Sequence, residues 1–247
     1  MSNAIDPAFA RLFMASATDF NAYGVHRLFN DWWATAPADA IEKYVAAIES
    51  HPEQGRHAAA RWLADPVSID RMTACAPGTL GAAWGAFMID NDLVERLAQG
   101  YRDYHDELAA TGMLDRLPPV LAHKVLRGYQ THDLHHVLTG LPPTPFGELA
   151  LQAFQLAQTR FPYAALWISV VTTHMTLVDP WMIGPAMDAI TTGWRMGRET
   201  PSIQYVAFET MLDEPLVDVR ARFGLAPADP AAFATPTHET PIRLIAA

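Results

Sequence analysis

Apolar residues recur three and four positions apart through most of this 247-residue chain, and that spacing constrains its fold more than any other feature. Ala40, Ile41, Tyr44, Val45 and Ile48 make one such stripe, and Leu149, Leu151, Phe154 and Leu156 make another. A stripe of this period faces one side of a helix, whereas a half-buried strand would need strict alternation. No Asn-Gly or Asp-Gly pair, the strongest short hairpin signal, occurs. Segments bounded by proline and glycine predict helices at about 20–34, 37–50, 53–64, 79–90, 92–111, 119–139, 145–160, 163–177, 185–199 and 203–224. The predicted class is all-α, a single-domain helical bundle of about nine or ten helices over residues 1–225.

Half of the residues are apolar, enough for a sizeable core at this length. No repeat of fixed period and no long Gly/Ser linker divides the chain, so the helices are expected to share one core. From Ala226 onward the stretch APADPAAFATPTHETPIRLIAA carries four of the 19 prolines and little periodicity. It predicts an extended or disordered tail over 226–247, outside the mechanism.

Charge and cysteine content narrow the function. Seventeen basic against 27 acidic residues give a net charge of -10, with no Lys/Arg-rich run, so nucleic acid lacks an electrostatic footprint as a partner. The single cysteine, Cys75, excludes an internal disulfide and a Cys-rich zinc module and fits a reducing compartment. The N-terminus lacks a basic region before its apolar residues, so no signal peptide is expected. The longest apolar stretch, Phe161 to Val178, carries Thr172, Thr173, His174 and Thr176 and reads as a buried helix rather than a span. Trp167 and Trp181 near its ends leave contact with a membrane surface open. The expected location is cytoplasmic, with peripheral contact at the inner face of the membrane.

The segment HDLHHVLTGLPPTPFGE, His132 to Glu148, concentrates the chemistry. On a helix ending near Gly140, His132 and His136 lie one turn apart on one face, with Asp133 on an adjoining face. Pro142 and Pro143 cannot continue the helix, and Thr144 with Pro145 can start the next one. Packed antiparallel helix axes lie roughly 8 to 10 Å apart, so Glu148, one turn into the second helix, can meet His136, one turn before the end of the first. Two imidazoles and two carboxylates would suit a divalent cation, and the ligand types leave zinc, iron and manganese open. The competing interpretation is a solvated helix face beside an ordinary first-turn glutamate. His135 falls off the ligand face and is expected to face solvent or to stand behind the ligands.

The pattern His-Asp-x-x-His, eleven residues, then Glu, at His132, Asp133, His136 and Glu148, resembles the metal-binding signature of the coenzyme Q biosynthesis protein 4 family. GTLGAAWGAFM from Gly78, FGELALQAFQLAQTRFPYAAL from Phe146, WRMGRE from Trp194 and FETMLDEPLVDVRARFGL from Phe208 fit the same family in the same order, although Trp84 stands where a tyrosine is expected. The likeness covers about residues 60–225. It implies an all-helical ubiquinone-biosynthesis protein with a divalent metal, zinc above all, on those four residues. It further implies a prenylated quinone precursor as ligand and other ubiquinone-biosynthesis enzymes as partners. The implied activity is oxidative decarboxylation at ring carbon 1 of a polyprenyl-hydroxybenzoate, the carboxyl being replaced by hydroxyl.

Three functions stay open at this point: that enzyme, a noncatalytic scaffold binding prenylated precursors and organising other enzymes, and a metal-dependent hydrolase that fits the ligands but not the resemblance. A homo-oligomer is left open as well. Tyr129, one turn before His132, and Arg195 and Arg198 are candidates for contact with substrate or with the site's surroundings, and Trp167 for the wall of an apolar channel. His51, Glu53 and His57 have loose metal-like spacing at an expected helix start and read as solvated surface. His174 reads as a satisfied core histidine.

Overall fold

The computed structural model describes residues 5–20, 22–33, 36–95, 106, 109–112 and 116–235. Among them are eleven α-helices and three short 3-10 turns, with no strand beyond an isolated Thr79–Pro215 bridge, so the chain is all-α. In chain order the helices are α1 (Pro7–Thr18), α2 (Val25–Trp33), α3 (Ala38–Glu49), α4 (Pro52–Ala60), α5 (Ile69–Thr73) and α6 (Leu80–Asp90), followed by α7 (Pro119–Thr139), α8 (Pro145–Thr159), α9 (Pro162–Val178), α10 (Ile183–Glu199) and α11 (Leu216–Arg222). The helix expected at 92–111 falls largely outside the described residues.

The main core gathers Leu134, Leu138, Phe146, Leu149, Phe154 and Phe208 from α7, α8 and the chain after α10. A second cluster around Phe29, Trp33, Leu121 and Phe161 joins α2 to the first half of α7 and the start of α9. Helix α7 therefore runs from one cluster into the other and carries polar residues across the boundary. α8 and α10 approach closely because Gly193 and Gly197, one turn apart, lack side chains; a Cβ at Gly193 would collide with the Ala150 carbonyl, and one at Gly197 would lie 2.5 Å from the Phe154 carbonyl oxygen.

Three local readings change, the first being the short α5, unexpected from the sequence and capped by the Ser68 hydroxyl, which accepts from Arg71 N. A helix forms at α1 where none was expected: the Asp6 carboxylate accepts from the Ala8 and Phe9 amides, and Pro7 stands at the first helical position. The helix expected over 203–224 is instead irregular chain with a 3-10 turn at Phe208–Thr210, and only α11 at its end is α-helical. Its carbonyls have another use, because Leu80 N donates to Glu214 O at 2.9 Å and Gly81 N to Leu212 O at 2.8 Å. These bonds satisfy amides that the start of α6 leaves open. Ile203, Phe208 and Leu212, five and four positions apart, are side chains pegged into the core from backbone that is not α-helical.

The first ten residues of the proline-rich tail touch the core at two points, one before and one within a 3-10 turn. Ala228 N donates to Thr139 O at 2.8 Å, and Phe233, in the turn Pro230–Phe233, is buried. Residues 236–247 lie outside the described part. No described helix is long and apolar enough to cross a membrane.

Candidate metal centre and its cavity

The corner between α7 and α8 builds the site. Gly140 ends α7 with φ +72°, a left-handed conformation that strains any L side chain, and a Cβ there would meet Ala228 O at 2.8 Å. Arg220 of α11 donates to the Leu138 and Val137 carbonyls at 3.1 and 2.7 Å, placing a cation at the negative end of the helix. Across the turn, Thr144 caps α8 through its hydroxyl, which accepts from Gly147 N at 3.2 Å and donates to the Phe233 carbonyl at 3.1 Å. The tail thus braces both helices that carry the ligand candidates.

Glu148 returns to the two histidines as the spacing predicts. His132 Nε2 lies 3.3 Å from one Glu148 carboxylate oxygen and His136 Nε2 lies 3.2 Å from the other. Ligand atoms of the three residues all fall within 4.8 Å of one another. His136, 1% exposed, has its Nδ1 at 2.8 Å from the Leu141 carbonyl. That oxygen can only accept, so Nδ1 carries the proton and the Nε2 lone pair faces Glu148. Phe87 of α6 stacks on the same ring at 5.5 Å and fixes its plane.

Asp133 takes a different place from the one expected. Its carboxylate is 3.1 Å from His132 Nδ1, on the far side of the ring from Glu148, and it does not join the three converging ligands. It holds His132 in the tautomer whose Nε2 is a free acceptor, the arrangement by which carboxylates orient metal-binding imidazoles. With both imidazoles neutral, two nitrogen lone pairs face a carboxylate, an array of acceptors with no donor among them. Only a cation relieves that, and the donor set, two nitrogens and a carboxylate, fits a divalent metal. A proton can play the part instead: burial opposes charging His132, but Asp133 and Glu148 outweigh it and lift the group to about 10. Burial likewise opposes ionising Glu148, and the two histidines outweigh it and hold the carboxyl well below its ordinary range.

His132, Asp133 and Glu148 line a cavity of about 530 Å³, within the usual size range of small-molecule sites. Phe29, Phe161, Tyr163, Ala164 and Trp167 supply its apolar wall, and Lys124, Gly128, Tyr129 and Gln152 its more polar side. Burial, reinforced by the nearby Glu148 charge, pushes the Tyr163 phenol up to about 12, so it stays protonated.

Of the other sequence candidates, Tyr129 and Trp167 border this cavity. Arg195 and Arg198 are exposed on α10 and do not line it. His135 neither faces solvent nor reaches a polar partner: it is fully buried against Phe154, and neither ring nitrogen has a hydrogen bond. Burial, with Lys124 and His132 nearby, drives its pKa far down and keeps it neutral. His174 ties α9 to α1 through the Ala17 carbonyl at 2.8 Å. His57 is exposed and stacks on Tyr205, His51 is half-buried, and the Glu53 side chain lies outside the described residues. Sequence reasoning missed Phe87, the Leu141 carbonyl and Lys124; only Lys124 carried a signal, as a cation two helical turns before His132 on the same stripe.

A family model described as Coenzyme Q (ubiquinone) biosynthesis protein Coq4 matches residues 61–229. The mitochondrial ubiquinone biosynthesis protein COQ4 homolog of Nematostella vectensis is 26% identical over 170 residues, covering 66% of this chain and 73% of that protein. Its counterpart in Pyricularia oryzae is 25% identical over 175 residues, covering 68% of this chain and 50% of the relative. The Danio rerio homolog is 28% identical over 151 residues, 60% of this chain and 51% of its own. This chain therefore spans about half the length of the fungal and fish relatives. A crystal structure from Nostoc punctiforme, titled as a candidate ubiquinone biosynthesis protein, superposes with a TM-score of 0.67 at 25% identity, over 88% of this chain and 94% of that one.

Proposed function

The chain belongs to the coenzyme Q (ubiquinone) biosynthesis protein Coq4 family, and from that premise we propose that it removes the carboxyl group of a prenylated hydroxybenzoate as CO2 and replaces it with hydroxyl at a divalent metal held by His132, His136 and Glu148, water supplying the hydroxyl oxygen and an oxidant from outside the chain, of the dioxygen class, taking up the two electrons and two protons released. The observation that carries this is the opening of the acceptor-only corner into a ligand-sized cavity. A structural site would be closed by a fourth protein ligand, whereas three ligands beside a cavity leave a position for substrate.

When bound, zinc would supply a Lewis acid, and iron or manganese in its place would add electron transfer. The chain's own residues do the rest. His132 and His136 present fixed lone pairs, Asp133 and the Leu141 carbonyl hold their rings, and Glu148 supplies the neutralising charge. Phe161, Tyr163 and Trp167 exclude water from the ring and offer apolar surface to the prenyl chain. Partner enzymes of the same pathway would deliver the precursor and take the product.

Native protein analysed for elements and extracted for lipid should yield close to one divalent metal per chain and a prenylated aromatic compound. Zinc at a hundredfold excess over its Kd should raise stability by about 2.7 kcal/mol, and His132→Ala with His136→Ala should abolish that increment. Carefully prepared native protein that neither contains nor binds metal would sink the site. Glu148→Gln should stop loss of the carboxyl from a prenylated hydroxybenzoate; full activity in a folded, metal-free variant removes the metal from the chemistry, and no carboxyl loss from metal-replete native protein that still binds the compound leaves the noncatalytic scaffold as the function.

A further inference from the structure

Lys124 is a buried cation with nothing to neutralise it. It is 5% exposed, and among the described residues no carboxylate or carbonyl accepts from it. Its ammonium lies over the Phe161 and Tyr205 rings at 5.4 and 6.0 Å, contacts that soften the loss of water but cannot replace it. A lysine is almost never buried without a partner, because the charge loses its hydration and gains nothing comparable in return. Burial, with Arg127 nearby, pushes its pKa down to about 8, so at neutral pH it stays largely charged.

Its position gives that charge a use. Lys124, Gly128 and His132 follow one another at four-residue steps along α7, and all three line the cavity. A Cβ at Gly128 would sit 3.5 Å from Lys124 Nζ, so the ammonium lies over Gly128, one turn toward the metal corner, in space that the missing side chain leaves clear. From Gly128 to His132 is a further turn, roughly 6 Å along the axis. Gln130, the neighbouring polar side chain, is already occupied by the Ala64 backbone and Arg127. Glu209, a buried carboxylate that also lines the cavity, is taken up by Arg127. Among the described residues the buried unpaired cation lining the cavity is therefore Lys124, the Asp65 carboxylate that also lines it being exposed to solvent, and the ammonium sits about one ring's breadth from the corner.

We propose that Lys124 recognises the ring oxygen para to the ligand's carboxyl group, holding it as phenolate while the carboxyl sits at the His132, His136 and Glu148 corner. This rests on the reading of the ligand as a prenylated hydroxybenzoate. Two oxygen functions on opposite sides of one aromatic ring then meet the Lys124 ammonium on α7 and the corner where His132 and His136 of α7 and Glu148 of α8 would hold the metal, and the aromatic wall takes the ring and its apolar chain between them. The choice of hydroxybenzoate over a benzoate lacking the hydroxyl then resides in Lys124, because an unmatched buried ammonium penalises the deoxy ring.

Zinc-loaded protein and its Lys124→Met variant are titrated with 3-geranyl-4-hydroxybenzoate, 3-geranyl-4-methoxybenzoate and 3-geranylbenzoate, following affinity and the phenolate absorption band. Native protein should favour the hydroxy compound at least tenfold over the other two and should show the phenolate band at a lower pH than free ligand. Lys124→Met should bind all three compounds alike and lose the band shift, with zinc content unchanged. Lys124→Gln, a second uncharged variant, should behave the same way, and Lys124→Arg should keep the preference. A folded, zinc-replete Lys124→Met protein that retains both the preference and the shifted band overturns the role of Lys124 and leaves the metal-centre reading standing. Native protein that binds none of the three overturns both together.

Discussion

Two polar regions on α7 lie within two turns of each other, and one is closed while the other is open. Arg127, 1% exposed, donates to both Glu209 oxygens at 2.6 and 2.8 Å, to the Val206 carbonyl at 2.6 Å and to Gln130 at 3.1 Å, and it stacks over Trp62. Both terminal nitrogens of the guanidinium and both Glu209 oxygens are matched within the chain, leaving only the Arg127 Nε without a partner, and this ties α7 to the irregular segment after α10. At the His132, His136 and Glu148 corner acceptors face acceptors, and at Lys124 a charge faces aromatic rings. Buried polar groups matched internally specify a structure; buried polar groups matched by nothing in the chain indicate what comes from outside.

The sharpest way to break the comparison is to open the closed region. Arg127→Met leaves Glu209 buried without its partner, and stability to urea should fall by about 3 to 5 kcal/mol. Arg127→Met combined with Glu209→Leu should recover most of that loss, since an apolar pair of similar volume is often tolerated in place of a buried ion pair. A loss below about 1 kcal/mol in the single variant would mean that the pair does not lock the segment, and the contrast with the open corner would fail.

Lys124 should respond in the opposite sense. Burial holds its pKa in the folded chain down to about 8, below the ordinary lysine value of 10.5. Below pH 8 both folded and unfolded chains carry the proton, and the cost of the buried charge is present in full. From pH 8 to 10.5 the native state gives up the proton first, the unfolded state binds more, and stability rises with pH. The group acting on it most directly is Arg127, charged throughout, while the neighbouring Tyr205 phenol is held far up by burial and stays neutral. Lys124→Met should therefore be more stable than native protein at pH 7, by an amount on the order of 2 kcal/mol, and should lack the alkaline rise. A melting temperature that drops in this variant would give Lys124 a structural role instead.

The two regions also differ in how far they could be read from the sequence. His132, His136 and Glu148 are set by local rules, a four-residue helical step and a Pro-Pro break, and their convergence needed only two antiparallel helices. Asp133 is adjacent in the chain, yet which side of His132 it takes depends on a rotamer that spacing does not specify. Arg127 with Glu209 is invisible locally because 82 residues separate them. The same holds for the 203–224 segment, whose apolar period suggests a helix while its carbonyls are claimed by α6. His135 is buried because α7 is covered on more than one face, passing from one core cluster into another, so no single amphipathic stripe describes it. The Asp6 and Pro7 start of α1 is missed by the sequence reading, although a capping residue before proline is a local signal.

The smallest expected effect tests whether the corner's geometry is as local as it looks. Thr144 accepts from Gly147 N and donates to Phe233 O, so one hydroxyl both starts α8 and holds the tail against it. Thr144→Ala should cost about 1 kcal/mol of stability as a lost helix cap. If the cap alone positions Glu148, zinc affinity should fall only in proportion to fraying of the first turn and recover in Thr144→Ser, which keeps the oxygen. If the brace to Phe233 matters more, removing residues 229–247 from otherwise native protein should weaken zinc binding further than Thr144→Ala does. Equal zinc affinity in all three variants would mean that Pro145 and the packing of Phe146 and Leu149 in the core set the corner by themselves, and the open region would then need no more support from distant chain than its sequence spacing implies.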